Sequence, residues 1–193
     1  MKGKKPGRPP ANQQTISLEL IVTKAIEMLD DNKVDNLSMR MLAKKINVNP
    51  MALYHYFSDK DALIQAIANR LYQDIQLPDL PDLYQQIESL LLHYRQKVTL
   101  YPQITLAIFS SPNAFPEQAK RITEILTQQL MKLGLSQIEA TKWGHILIDY
   151  THGEALSVSP KNQAPSFTPE AIHTAELSYS ETIKMLLFKI NSK

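Results

Sequence analysis

Apolar residues recur at intervals of three and four along nearly the whole chain, and this spacing constrains the fold more than any other feature of the sequence. Residues three and four apart share one face of an α-helix, whereas a half-buried strand requires strict alternation of apolar and polar residues. No sustained run alternates in that way. The hydrophobic share of 44% is enough to form a core. We therefore predict an all-α protein.

Start and stop signals divide this pattern into helices. Ser17 is a suitable amino-terminal cap for a first helix that ends near Asp30, and two short helices and a longer one follow. Pro78 and Pro81 then interrupt the helical pattern, because proline has no N–H to donate. Beyond them we predict helices at about 82 to 100, 103 to 110, 117 to 133, 137 to 157 and 169 to 190. The predicted units are an arm over 1–14, a domain over 15–74 and a larger helical domain over 80–193.

Positive charge is concentrated in the amino-terminal part of the chain. Residues 1–74 hold 11 lysines or arginines against 8 acids, whereas residues 75–193 hold 10 against 11. Four positive residues, among them Arg8, fall within the first ten positions, where prolines and glycines prevent a helix. The Gly-Arg-Pro triplet at Arg8 resembles an AT-hook, which predicts an arm that enters the minor groove of DNA. The alternative is a solvated tail that attracts DNA without sequence preference.

Composition and sequence patterns exclude several classes of function. The chain has no cysteine, which excludes disulfides, thiolate metal clusters and a cysteine nucleophile and fits a cytoplasmic location. No signal peptide is recognisable, and no stretch approaches the roughly 18 uncharged apolar residues of a membrane span. Serine, histidine and aspartate occur, but without the strand-turn-helix elbow that exposes a hydrolase nucleophile. We expect no catalysis, no cofactor and no contact with membranes.

Residues 37–63 predict a pair of short helices joined by a tight corner. Ser38 caps the first helix, and Asn47 can adopt the left-handed backbone of the corner. Asn49 followed by Pro50 begins the second helix. The predicted inward positions are Leu42, Ala43, Ile46, Leu53 and Phe57, and the predicted outward positions are Met39, Arg40, Lys44, Lys45, Ala52, Tyr54, His55 and Tyr56. Such a helix-turn-helix can place its second helix in the major groove of DNA, although an ordinary helical hairpin has the same pattern.

The same run, LSMRMLAKKINVNPMALYHYFSDKDAL, closely resembles the DNA-binding domain of the TetR family of transcriptional regulators. The resemblance covers about residues 15 to 72, and its core is Leu-Tyr-x-x-Phe-x-x-Lys, which begins at Leu53. The chain departs from the family pattern at Asn47, where glycine is usual, and at Tyr56, where histidine is commoner. The resemblance implies a three-helix DNA-binding domain, a homodimer, a variable helical effector domain, and repression that a small molecule relieves.

Carried over position by position, the resemblance assigns a role in DNA binding to individual residues. Arg40 is assigned to a base edge, where its guanidinium suits guanine. Phosphate contacts, which fix register without reading sequence, fall to Tyr54, Tyr56 and Lys60. Apolar or close contacts to bases fall to Met39, Pro50, Met51 and Ala52, and His55 and Lys44 are further candidates.

The carboxy-terminal region is predicted to bind a partner subunit and a ligand. The long amphipathic helices at 136–156 and 169–190 can form a four-helix bundle across a two-fold axis, although they can also be internal core. A symmetric dimer requires a palindromic operator with half-sites about 34 to 36 Å apart. Aromatic and polar side chains can line a largely apolar effector cavity, although the same pattern also suits core packing. The predicted lining residues are His93, Tyr94, Tyr101, Phe109, Trp143, His145 and Asp149.

One polar cluster could be mistaken for a metal site. His145, Asp149 and His152 recur at helical spacing on one face, but no strict ligand motif accompanies them. We predict pocket or interface groups there and no metal. The sequence as a whole predicts a homodimeric repressor that binds double-stranded DNA and responds to a small, largely apolar effector. The alternative is a helical carrier protein whose amino-terminal helices merely pack, and an enzyme is a more distant one.

Overall fold

The computed structural model describes residues 16–30, 37–159 and 169–191. These ranges contain α-helices joined by turns and one short 3-10 helix, and no β-strand occurs in them. The prediction of an all-α fold is confirmed, and the predicted bounds of α5 to α9 are within one residue of those found. The helices are α1 (Leu18–Asp30), α2 (Met39–Lys45), α3 (Pro50–Leu53), α4 (Lys60–Tyr72), α5 (Leu83–Leu100), α6 (Pro102–Ser110), α7 (Glu117–Lys132), α8 (Gln137–Ser157) and α9 (Pro169–Asn191).

Side-chain caps begin the helices of the amino-terminal domain, because the first backbone N–H groups of a helix have no partner within it. Ser17 Oγ accepts a hydrogen bond from the backbone N–H of Leu20 (3.1 Å), which confirms it as the cap of α1. Ser38 and Asn49 cap α2 and α3 in the same way, as predicted. Asp59 caps α4, and its Oδ1 accepts from the N–H of Ala62 (2.8 Å).

The corner between α2 and α3 depends on one residue. Asn47 has a φ of 56°, the left-handed conformation that was predicted for this position. The following residue, Val48, donates its N–H to the carbonyl of Ala43 (3.0 Å), which closes the turn. Leu53 and Phe57 then point into the domain and are almost fully buried. A corner of this shape sets α3 across α2 and leaves the outer face of α3 open.

Helix α4 connects this domain to the rest of the chain. Its apolar residues Leu63 and Ile67 are completely buried, and it packs against α1 on one side and against α6 and α7 on the other. Asn69 Oδ1 accepts a hydrogen bond from the backbone N–H of Gln118 at the start of α7 (2.9 Å). Arg121 of α7 donates to the carbonyl of Ile75, just beyond α4 (2.5 Å). A displacement of α7 is therefore opposed directly by α4.

Helices α5, α7, α8 and α9 form the larger helical part. Gly144 lets α7 and α8 approach closely, since a Cβ at this position would lie 3.3 Å from Thr127 Oγ1. Between α5 and α8, the guanidinium of Arg95 contacts both carboxylate oxygens of Glu154, at 2.5 and 2.7 Å. Arg95 is only 2% exposed and also lies over the ring of Tyr179 on α9. One buried charge pair thus joins three helices.

The segment between α4 and α5, residues 73–82, contains no helix and includes the predicted proline break. A boundary between two domains at this point remains our proposal. Within the described ranges, no helix combines the length and the apolar character needed to cross a membrane.

Loss of the acidic partner in the buried pair should destabilise the fold strongly. Glu154→Gln leaves the guanidinium of Arg95 buried and without a counter-charge, and we expect the free energy of unfolding to fall by about 3 to 5 kcal/mol. Urea unfolding at a fixed protein concentration measures this change, since any self-association adds to the apparent stability. The matched control is Glu117→Gln, which removes an exposed partner of Lys120 and should cost less than about 1 kcal/mol. Equal losses in the two variants contradict the prediction.

The left-handed corner gives a second stability prediction. Asn47→Val places a β-branched residue at positive φ, and we expect a loss of about 1 to 2 kcal/mol. Asn47→Gly should stay within about 1 kcal/mol of the parent protein, because glycine adopts this conformation freely. Thermal unfolding of the two variants compares them directly. A valine variant as stable as the glycine variant excludes this backbone conformation.

Candidate functional site

The outer face of the helix-turn-helix presents most of the residues predicted to contact DNA. Met51, Tyr54 and His55 project from α3 and the turn that follows it, and Met51 is 64% exposed. Arg40 and Lys44 of α2 are exposed beside them. The exposed group is completed by Lys60 at the start of α4 and Tyr56, and the half-buried members are Pro50 and Ala52. We call this set the reading face.

Met39 is the exception, and its predicted outward position is wrong. Its side chain is only 6% exposed. Met39 lies three and four residues before Leu42 and Ala43, and these spacings place all three side chains on the inner face of α2. A base contact by Met39 would require the domain core to open.

Two further residues predicted to contact DNA, Tyr56 and Arg8, differ from the remaining ones. The hydroxyl of Tyr56 donates a hydrogen bond to the backbone carbonyl of Ile16 (2.7 Å), so it holds the start of α1 against the helix-turn-helix. The hydroxyl oxygen of Tyr56 can still accept a hydrogen bond, but its proton is already donated to the carbonyl of Ile16. Arg8, the residue proposed for the minor groove, lies outside the described residues.

A cavity of about 750 Å³ lies among helices α4 to α8, at the end of α4 opposite Lys60. Its volume falls within the range of small-molecule sites. Four of the predicted lining residues contribute to its wall: Tyr94, Phe109, His145 and Asp149. The other lining residues are Tyr72, Thr105, Ile108, Phe115, Pro116, Ala119, Lys120, Thr123, Glu124, Thr127, Gln128, Met131, Gln137, Thr141, Ile148 and His152.

Three predicted lining residues are not part of the cavity wall. His93 is exposed on the outside of α5. Tyr101 lies at the end of α5 near Asp30, and burial and that carboxylate raise its pKa to about 12. Trp143 packs partly buried against the core from a different face of α8. The sequence placed lining residues on α5, α6 and α8 but not on α4 or α7, and it did not show how each helix is rotated.

Helix α7 supplies lining residues that the sequence analysis missed. Thr123 and Thr127 face the cavity, and their hydroxyls donate to the carbonyls four residues earlier, at 3.0 and 2.9 Å. Their polar stripe has the spacing of a solvated helix face. The structure places it along the cavity, while the apolar stripe of Ile122, Leu126 and Leu130 enters the core.

The inner end of the cavity carries a line of polar groups from four helices. The hydroxyl of Tyr94 and Nε2 of His152 are 2.7 Å apart and share a hydrogen bond. The rings of Tyr94 and Tyr72 meet edge to face, with centroids 5.4 Å apart. Thr105 is 2% exposed, and its Oγ1 has no hydrogen-bond partner of normal geometry. His152 Nδ1 is likewise buried without a partner among the described residues. We call Tyr72, Tyr94, Thr105 and His152 the polar floor.

Burial keeps the polar floor uncharged at neutral pH. It raises the pKa of Tyr94 well above the ordinary value and also raises that of Tyr72, where the nearby hydroxyls of Thr105 and Tyr94 oppose part of the rise. Burial lowers the pKa of His152, although the carboxylate of Asp149 acts in the opposite direction. The floor therefore holds two phenols, a hydroxyl and a neutral imidazole.

Exposed polar and charged groups lie at the cavity mouth instead. Glu124, His145 and Asp149 are exposed there, together with Lys120, whose ammonium is paired with Glu117 at 2.6 Å. In the described ranges, no group of three or more histidine, cysteine, aspartate or glutamate side chains is arranged to hold a metal ion.

Comparisons with known proteins agree with this architecture. Residues 21–67 match the family model described as bacterial regulatory proteins, tetR family. An HTH-type transcriptional regulator of Saccharopolyspora erythraea is 23% identical over 157 residues, which cover 80% of this chain but only 66% of that protein. The aligned region is therefore just under two thirds of that relative's length.

Solved structures share the whole fold. BioQ of Mycobacterium smegmatis superposes with a TM-score of 0.78 at 21% identity, over 92% of this chain and 98% of that chain. ActR of Streptomyces coelicolor, solved in complex with actinorhodin, superposes with a TM-score of 0.74 at 18% identity, over 92% and 96% of the two chains. At these identities the likeness establishes the fold alone. The matched family model covers the helix-turn-helix itself, so residues 21–67 are a helix-turn-helix region of the type found in the tetR family of bacterial regulatory proteins.

Proposed function

We propose that this DNA-binding regulator is a homodimeric repressor, which binds a palindromic operator and leaves it when a small molecule enters the cavity. The observation that carries the proposal is the position of α4, which begins at the reading face with Lys60 and ends in the polar floor with Tyr72. Its 13 residues span about 18 Å. Binding and release require no catalysis, and a protein that binds genomic DNA acts in the cytoplasm.

On the reading face, we assign Arg40 to a base edge and Lys60 to a phosphate. Met51 and Ala52 supply apolar contacts to bases, and Tyr54 supplies a further phosphate contact. Lys44 and His55 lie close enough along the same face to add to the attraction for DNA. A BioQ structure solved with its natural double-stranded DNA operator has this fold, with a TM-score of 0.73, which supports the mode of binding.

For the dimer, we assign the outer faces of α8 and α9. Ile138 and Ile146 are exposed on α8, at 71% and 49%. Leu177 and Met185 are exposed on α9, eight residues apart and so close to one stripe of the helix. Exposed apolar stripes on two adjacent long helices are typical of a helical interface, and a two-fold axis there makes a four-helix bundle.

For the switch, we assign the ligand-dependent step to the contacts between α4 and α7. A ligand on the polar floor touches Tyr72 directly, and α7 is tied to α4 through Asn69 and Arg121. A ligand that prefers one tilt of α4 shifts the population toward that tilt. A coupling free energy of about 1 to 3 kcal/mol changes operator occupancy by roughly 5- to 150-fold.

The direct test is to sequence the genomic fragments that the purified protein retains, because the sequence shared by those fragments is the operator. We expect a palindrome with half-sites about one helical turn apart. Retention that is weak and blind to sequence contradicts the proposal and favours a helical carrier protein, whose cavity still binds ligands. Conversion of a bound ligand into a product indicates an enzyme.

Substitutions on the reading face should separate sequence recognition from general attraction. On the selected operator, Arg40→Ala should cost about 1 to 3 kcal/mol and relax the preference at one base position. Lys60→Ala should weaken binding to all sequences alike and reduce the salt slope by about 1. Fluorescence anisotropy at several salt concentrations measures both effects. The control is Arg70→Ala, an exposed arginine in the last turn of α4. An equal loss at Arg70 contradicts the assignment.

Charge on the α9 stripe should separate the subunits. The double variant Leu177→Lys, Met185→Lys places four like charges in the symmetric interface, and we expect a monomer in sedimentation velocity and a loss of operator binding. Leu106→Lys introduces the same charge at an exposed position of α6 and should leave the dimer intact. A double variant that still sediments as a dimer locates the interface elsewhere.

A further inference from the structure

The charged and apolar side chains that remain accessible along the cavity specify what kind of molecule it can take. We propose that its ligand is an organic cation with a flat apolar body, whose positive charge lies beside the carboxylates of Glu124 and Asp149. The inference rests on the proposed function only in treating the cavity as the effector site. It is carried by two unpaired carboxylates that line the same cavity as three large, exposed apolar side chains.

The two carboxylates come from the packed helices α7 and α8 and are accessible. Glu124 and Asp149 both line the cavity, and both are exposed. Neither side chain has an ion-pair partner among the described residues. The negative charge of Asp149 also acts at the inner end of the cavity, where it opposes the lowering of the His152 pKa. A cationic ligand thus meets negative charge that no protein group neutralises.

The other charged side chains of the wall do not offset these carboxylates. Lys120 is the cationic lining residue, and its ammonium already contacts a carboxylate oxygen of Glu117 at 2.6 Å. That pair is neutral as a unit. An anion therefore finds no unpaired lysine or arginine in the described wall, and both remaining carboxylates repel it.

Exposed apolar side chains give the rest of the wall an affinity for a flat hydrocarbon framework. Phe109, Phe115 and Met131 line the cavity although they are 57%, 44% and 41% exposed. The ring of Phe109 also meets that of His152 edge to face, with centroids 5.0 Å apart. A bound aromatic framework removes this apolar surface from water, and the face of a phenylalanine ring attracts a cation.

A metal ion suits this wall less well than an organic cation. Calcium takes six to eight oxygen ligands, and magnesium requires a near-ideal octahedron. No group of three or more histidine, cysteine, aspartate or glutamate side chains within the described ranges is arranged to hold a metal ion. A quaternary ammonium needs no such geometry, because aromatic faces and nearby carboxylates attract it from any direction.

Three probes of similar shape test the proposal. They are trimethyl(2-naphthylmethyl)ammonium, the neutral alcohol with a dimethylcarbinol group in place of trimethylammonium, and the anion 2-naphthylmethanesulfonate. NMR titration of the full chain without DNA gives the dissociation constants, and the methyl signals of Met131 and Ile148 report binding within the cavity. The titrations use about pH 8, where an ordinary histidine is uncharged. We expect the ammonium compound to bind about tenfold more tightly than the alcohol, as suits two exposed charge pairs of about threefold each, and the sulfonate to bind most weakly.

Neutral variants connect this preference to the two carboxylates. Glu124→Gln and Asp149→Asn keep the shape of each side chain but remove its charge, and each should weaken binding of the ammonium compound about threefold. In the double variant, the ratio of dissociation constants between the alcohol and the ammonium compound should fall close to one. Asp79→Asn makes the same change at an exposed position outside the cavity and should leave the ratio as it is.

Salt separates the contribution of charge from that of apolar contact. Dissolved ions screen charges that lie at an exposed mouth. The affinity for the ammonium compound should therefore fall as the salt concentration is raised, whereas the affinity for the alcohol should not.

The proposal is overturned if the ammonium compound fails to bind at millimolar concentration, if the alcohol or the sulfonate binds as tightly, or if salt leaves its affinity unchanged. It is also overturned if the double variant folds and keeps the preference. If the double variant does not fold, the two single variants decide. A protein that prefers the ammonium compound but selects no genomic site contradicts the proposed repressor and leaves the ligand class supported. Selection of an operator without binding of the ammonium compound overturns the ligand class alone.

Discussion

The buried pair of Arg95 and Glu154 sets the register between α5 and α8, and the cavity floor depends on that register. Arg95 directly follows Tyr94, and Glu154 lies two residues after His152, so the charge pair and the phenol–imidazole hydrogen bond are neighbouring contacts between the same two helices. A bidentate contact tolerates little sliding or rotation. The floor therefore takes its geometry from a pair that belongs to the core and has no direct contact with the cavity.

Helix α4 imposes a second constraint, because it packs into the core of the helix-turn-helix domain and also reaches the cavity. Its residues Leu63 and Ile67 complete the core under the helix-turn-helix, and Tyr72 reaches the cavity. A rigid helix cannot change its tilt at one end alone. Hydrogen bonds from Gln118 N–H to Asn69 and from Arg121 to the carbonyl of Ile75 hold the end of α4 and the residues just beyond it against α7, one wall of the cavity. The distance between the reading face and the cavity is thus covered by one helix and not by a chain of loops.

Short-range patterns in the sequence were sufficient to predict the helices of this fold. They were insufficient to predict which residues line the cavity. Caps at Ser17, Ser38 and Asn49 and the positive φ of Asn47 follow from short-range chemistry, and they were predictable residue by residue. The position of Met39 was also available from the helical period, and its outward assignment neglected the spacing to Leu42. The lining of the cavity depends on how long helices are rotated against each other. Composition and spacing do not contain that information, which is why His93, Tyr101 and Trp143 were assigned to it and Tyr72 and Thr105 were not.

The threonines of α7 make the shape of the cavity wall separable from the stability of the protein. Thr123 and Thr127 donate to backbone carbonyls of their own helix. These hydroxyls therefore have their hydrogen-bond acceptors within α7 and hold no other helix in place. Exchanges at Thr123 alter the shape and polarity of the cavity wall at little cost to folding, whereas Thr127 lies against Gly144 and has less room to change. The cavity wall can therefore change along this stripe while the core and the reading face stay the same.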